Sequence, residues 1–147
     1  MKLKFHHGGI SVPDLEASIE WFARVLEFQV ESRLDIAAIP ARVAMLRRDE
    51  LRIELFEVPG AAPLPVGRRQ PNTDPHTHGN KHVAFAVPNV DETVEQLRER
   101  GADIVLVGHF EFGSFVFIRD NAGNLIEFVQ QPEMWALQTA SAPHVEQ

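Results

Sequence analysis

The sequence predicts an α+β protein of two tandem βαβββ modules, forming paired half-barrels around a shared cavity. Three observations carry this. The chain repeats itself, each repeat follows the same order of strand, helix and hairpin, and one aperiodic, proline-rich stretch separates the two copies. Residues 7–15, HGGISVPDL, lie over residues 82–90, HVAFAVPNV, at an offset of 75. Later in each copy, IELFEVP at 53–59 lies over IEFVQQP at 126–132 at an offset of 73. Self-similarity of two separate blocks in the same order fixes an architecture before any single element is assigned.

Residues 4–12 and 81–87 read as strands from their length and flanking turn residues. The spacing then predicts helices over Asp14–Leu26 and Val90–Arg100. Leu15, Ile19, Phe22 and Leu26 form one apolar stripe, Val90, Val94 and Leu97 form the other, and Gly101 is a suitable stop. RVAMLRRDELRIELFEV and SFVFIRDNAGNLIEFV each read as a hairpin, the second turning through Asn-Ala-Gly-Asn. Residues 59–80 hold five of the ten prolines and show no periodicity, which makes them a crossing loop. The chain is therefore expected to be one domain over 1–147, with module one at 4–58, a linker at 59–80, module two at 81–131 and a tail at 132–147 that is frayed after Met134. A module of this size cannot close its sheet alone, so the two are expected to pair.

At 147 residues, with 44% hydrophobic and 24% charged side chains, the chain can bury a core without covalent staples. A formal charge of -7 offers no basic stripe for a phosphate backbone, so nucleic acid is not an expected partner. There is no cysteine, which excludes disulfides and thiolate chemistry and leaves only nitrogen and oxygen as metal donors. No apolar run has the length of a membrane span or of a signal h-region, so no membrane partner and a cytoplasmic location are expected.

Strand alternation turns this architecture into a candidate site. His7, Gly9 and Ser11 share one face of the first strand, and His82, Ala84 and Ala86 share one face of its repeat, so each His sits among small residues that leave room beside it. Glu54 falls opposite Ile53 and Leu55, and Glu127 opposite Ile126 and Phe128, away from the apolar packing layer. Two sequestered carboxylates need a cation or a proton. Two imidazoles and two carboxylates suit one divalent ion, Zn, Ni, Co, Mn or Fe, and leave a position open for substrate. His6, His109 and His144 read as structural, His76 and His78 as exposed loop residues, Glu57 as solvated, and Trp21 and Trp135 as packing at a module or subunit contact. Phe110, Phe112, Phe115 and Phe117 suggest an apolar wall suited to a hydrophobic or aromatic substrate. Arg47, Arg48, Arg68, Arg69 and Arg119 are the candidate cations for an acidic substrate, although their turn positions are equally those of solvated arginines.

HHGGISVPDLEASIEWFARVLEF, HVAFAVPNVDETVEQL and RDNAGNLIEFVQ together resemble the vicinal oxygen chelate superfamily over nearly the whole chain. This group includes glyoxalase I, methylmalonyl-CoA epimerase, extradiol dioxygenases, and the fosfomycin and bleomycin resistance proteins. The resemblance places its four metal positions on His7, Glu54, His82 and Glu127. Glu at position 54 is similar to glyoxalase I, whereas the epimerases usually have Gln there and a further acid that AAIPARVAML lacks. The implied activity is that of a metal-dependent glyoxalase-like lyase or isomerase, acting on a small carbonyl or thioester through an enediolate. Glu54 or Glu127 would be the catalytic base, and Phe115, Phe117 and Arg119 would bind substrate. An Fe(II) extradiol-type dioxygenase and a metal-free binding or resistance protein are the alternatives. The resemblance also implies a homodimer, and leaves open whether the four ligands come from one chain or two.

Overall fold

The computed structural model describes residues 1–139. Module one contains β1 (Gly8–Ser11), α1 (Leu15–Leu26), β2 (Gln29–Ile36), β3 (Ala41–Arg48) and β4 (Leu51–Glu57). Module two repeats this order with β5 (Val83–Val87), α2 (Val90–Glu99), β6 (Asp103–Phe110), β7 (Gly113–Arg119) and β8 (Leu125–Gln130). The two four-stranded sheets have equivalent orders, β1-β4-β3-β2 and β5-β8-β7-β6. In each, the first strand pairs in parallel with the last and the remaining pairs are antiparallel.

Both helices start as the sequence predicts. The Asp14 carboxylate accepts from the Ala17 N–H at 3.0 Å, and the Asn89 side-chain oxygen accepts from the Glu92 N–H at 3.0 Å, each satisfying a donor that a first helical turn leaves free. They end differently. Gly101 takes φ +73 and the Ala102 N–H reaches back to the Leu97 carbonyl at 2.9 Å, whereas α1 closes on Glu27 at φ 59, a left-handed conformation in a non-glycine residue. The strands are shorter than predicted at their starts. His7 lies one residue before β1 and His82 one residue before β5, so each imidazole sits at a strand entrance. The linker contains two short 3-10 turns, Val66–Arg69 and Asp74–His76. The tail begins with a short helix, α3 (Glu133–Thr139), so the chain just after Met134 is helical rather than frayed; His144 lies outside the described residues. No described helix is long and apolar enough to cross a membrane.

A single core joins the modules. Leu15, Phe22 and Val25 of α1 and Val90, Val94 and Leu97 of α2 lie in one cluster with Leu46, Ile53 and Leu55 of the first sheet and Val116, Ile118 and Ile126 of the second. Burying each such side chain stabilises the fold by roughly 1.5–3 kcal/mol. The seam is also tied by polar contacts. The Ser18 hydroxyl bonds the Asn121 side-chain oxygen at 3.1 Å, Arg100 donates to the Val25 carbonyl at 3.0 Å and to Glu27 at 3.0 Å, and Arg24 donates to the Arg100 carbonyl. The helix-covered faces of the two sheets thus share the core, and the opposite faces, which carry Glu54 and Glu127, are turned away from it.

Candidate metal centre

Parallel pairing of the first and last strand of each module sets Gly9 beside Glu54 and Ala84 beside Glu127. Two residues upstream of each small residue stands the histidine. His7 Nε2 lies 3.0 Å from the Glu54 carboxylate, and His82 Nε2 lies 2.8 Å from the Glu127 carboxylate. The small neighbours matter for clearance. A Cβ on Gly9 would already touch the Phe56 ring at 3.4 Å.

The spacing within each pair suits a metal. Two donors bound to one ion at about 2.0–2.2 Å, with an angle near 90°, lie about 3 Å apart. Each pair has the separation that two donors on one edge of a coordination shell would have. The pairs do not meet within one chain, since no described residues form a group of three or more side chains that could hold an ion. Within the described residues the two His–Glu pairs stand apart.

His6, read from sequence as structural, touches the site. Its Nδ1 lies 2.7 Å from Nδ1 of His7, so one ring donates to the other, and His7 keeps Nε2 toward Glu54. A partner on the distal nitrogen fixes the ring orientation of a ligating histidine. The adjacent pair His6-His7 was the only sequence signal for this. Glu57, expected to be solvated, accepts from the Leu15 N–H at 2.6 Å and from Arg42 at 3.3 Å, and so anchors the start of α1 to the end of β4. His109 does not approach the site but bonds the Ser114 hydroxyl at 2.9 Å. Trp21 is buried, with its ring edge-on to Phe22, while Trp135 is exposed.

The aromatic wall is present in module two. Phe117 pairs in register with Glu127, and its ring meets His82 edge-on at 4.9 Å. Phe115 contacts Phe117 at 5.7 Å, Phe110 stacks on Phe115 at 5.5 Å, and Phe112 stacks on Phe110 at 5.0 Å. Gly108 makes room for this row, because a Cβ there would come within 2.4 Å of the Phe115 ring. Arg119 shares the Phe117 face by alternation but is already engaged. It pairs with Asp103 at 2.9 Å and donates to the Arg69 carbonyl at 3.4 Å. Just beyond it, Asp120 is buried and accepts from the Ala122 and Asn124 N–H groups at 2.9 and 2.8 Å. Burial pushes its carboxyl above the ordinary 3.8, against hydrogen bonds that pull the other way.

Two equivalent sheets, each carrying a His–Glu pair on the face turned away from the core, define an α+β protein of two tandem modules. The sequence profile of the glyoxalase/bleomycin resistance protein/dioxygenase superfamily matches residues 4–128, and the chain belongs to that superfamily. It is 33% identical over 108 residues to a 2-epi-5-epi-valiolone epimerase from an Actinomyces species. That match covers 63% of this chain and 56% of the relative. Among solved structures, a glyoxalase family protein from Enterococcus faecalis has a TM-score of 0.73 at 20% identity, covering 86% of this chain and 97% of the other. The trypanothione-dependent glyoxalase I of Leishmania major has a TM-score of 0.68 at 22% identity, covering 95% and 94%. A fosfomycin resistance protein from Listeria monocytogenes has a TM-score of 0.64 at 16% identity, covering 89% and 95%. At these identities the structural likenesses establish the fold.

Proposed function

We propose that the protein is a metal-dependent isomerase or lyase that moves a proton at a carbon beside a carbonyl. One divalent ion would be held by His7 and Glu54 of one subunit together with His82 and Glu127 of a second. The observation that carries this reading is the pair of equivalent His–Glu contacts, 3.0 and 2.8 Å, at matching strand positions of the two modules. A two-fold dimer that sets module one of each chain against module two of the other would complete two identical sites. The donor set fits Zn, Ni, Co, Mn or Fe, and the ion would supply Lewis-acid stabilisation of the developing enediolate, worth several kcal/mol.

The remaining chemistry belongs to side chains. Glu54 or Glu127 would take a proton from the substrate carbon and return it, to the same face or through its counterpart to the other. Glu54 and Glu127 approach from different modules, so the handedness of the substrate selects between them. An epimerase inverts one centre, and the same removal and return of a proton achieves this, in keeping with the activity of the Actinomyces relative. Phe115 and Phe117 would line the apolar side of the substrate next to His82. Arg119, neutralised by Asp103, would brace that wall rather than attract an anion.

Conversion of each glutamate to Gln keeps an oxygen donor and removes the base. One of Glu54→Gln and Glu127→Gln should retain most of its metal while losing turnover and α-proton exchange in deuterated water by at least about 100-fold. Full turnover in both variants would refute the proton-transfer reading. The aromatic row favours a second reading, an Fe(II) dioxygenase acting on a catechol, and oxygen consumption with a catechol by the iron-loaded protein would establish that instead.

A further inference from the structure

A cavity of about 380 Å3 lies where the linker crosses the seam between the modules, lined by the ends of β1 and β4, by residues 58–64, and by Arg69, Ala122 and Asn124. It is separate from the His–Glu pairs. His7 precedes the start of β1 and the cavity begins four positions later at its last residue, Ser11; Glu57, which borders the cavity, is three positions beyond Glu54, about 10 Å along a strand.

Arg69 is the unusual group here. Nine of the eleven arginines lie within 4.0 Å of a carboxylate. Among the described residues only Arg24 and Arg69 do not, and the Arg24 guanidinium is spent on the Arg100 carbonyl. Arg69 donates one bond, from Nη2 to the Leu64 carbonyl at 3.3 Å, and its Nε is buried with no partner. It is held in place from below. The side chain packs on Gly123, where a Cβ would sit 3.3 Å from Arg69 Cδ and Nε. Among the described residues no carboxylate lies within 4.0 Å of this half-buried guanidinium, and an anion in the cavity that Arg69 lines would supply the missing counter-charge.

The lining specifies what kind of anion. Glu57 borders the same cavity, but its carboxylate is already satisfied by the Leu15 N–H and Arg42, so a second charge on a ligand would meet repulsion. Asn124 is likewise committed, donating its side-chain N–H groups to Asp120. Val12, Pro13, Ala61 and Leu64 make the rest of the wall largely apolar. We infer that this cavity is a second small-molecule site, which takes a monocarboxylate with a compact apolar body and binds its carboxylate on Arg69.

The test uses full-length protein stripped of metal, so that the His–Glu pairs contribute nothing, with hexanoate as probe and hexanamide as its neutral isostere. Backbone NMR titration should show saturable hexanoate shifts centred on Ser11, Ala61 and Gly123, with hexanamide at least about tenfold weaker because it lacks the charge-assisted bond. Arg69→Gln should erase the preference for hexanoate, and Arg69→Lys should retain part of it. Should Arg69→Gln fail to fold, the comparison of hexanoate with hexanamide on the unaltered chain and on Arg69→Lys decides the matter. Equal affinity for both probes, shifts centred on His7 or His82, or an undiminished preference in Arg69→Gln would overturn the inference.

Discussion

The two modules share a chain path and a His–Glu pair but differ in what surrounds that pair. In module one the row beside Glu54 is completed by Met45, and Val43 occupies the next position. In module two Phe117 and Phe115 take those places, extended by Phe110 and Phe112. At the other end of the row, module one carries Glu31 bonded to Arg47 at 3.3 Å and to Arg52 at 2.8 Å, and the Arg52 contact holds the Glu31 carboxyl below its ordinary value. Module two has Asp103 with Arg119 there, and Leu125 in place of a second arginine. The two modules keep the same His–Glu pair and differ in the walls beside it. Under the proposed function, metal retention would depend on both modules and substrate discrimination mainly on the second.

The largest expected effect tests what is shared. His7→Ala and His82→Ala should each lower metal affinity by at least about 100-fold and abolish turnover, because each removes one donor from the same site. Metal content after dialysis reads this directly, and full retention in either variant would break the equivalence of the modules. A smaller effect tests what differs. Phe117→Ala should raise KM for an aromatic α-hydroxyketone by roughly tenfold, the scale of one lost apolar and edge-to-face contact, while Met45→Ala should change it little. Equal changes would remove the assignment of discrimination to module two. The smallest effect concerns Asp120. Burial raises its carboxyl, so the folded state binds that proton more tightly than the unfolded chain does. The resulting stability is complete below pH 3.8 and is lost as pH rises through the raised value. Asp120→Asn keeps an acceptor for the Ala122 and Asn124 N–H groups but does not titrate, so denaturation midpoints across that window should move in favour of the Asn variant as pH rises. A constant difference would contradict the burial account.

The repeat made the fold legible, since a two-residue strand period and a capped helical stripe recur at one offset and can be checked against each other. The same alternation placed Glu54 and Glu127 on the faces opposite Ile53 and Ile126, as the structure has them. What the sequence did not show were contacts that depend on direction in space. Nothing in a lone Glu57 signals that it caps α1 across 42 residues, and His6 gains its role only because the chain before β1 turns its ring onto His7. The short α3 lacks the periodicity that a longer helix would display. The proposed convergence of the two His–Glu pairs would likewise depend on how modules pack between chains, which no local pattern encodes.

That convergence is the central claim, and mixing two inactive variants tests it most directly. A His7→Ala chain retains the module-two pair, and a His82→Ala chain retains the module-one pair. If each site is built from module one of one subunit and module two of the other, half of the dimers in an equal mixture refolded together are hybrids, each with one intact and one doubly broken site. The mixture should then recover about a quarter of the metal and proton-exchange activity of the unaltered protein. No recovery from a mixture shown by mass spectrometry to contain the hybrid dimer would contradict a site shared between chains.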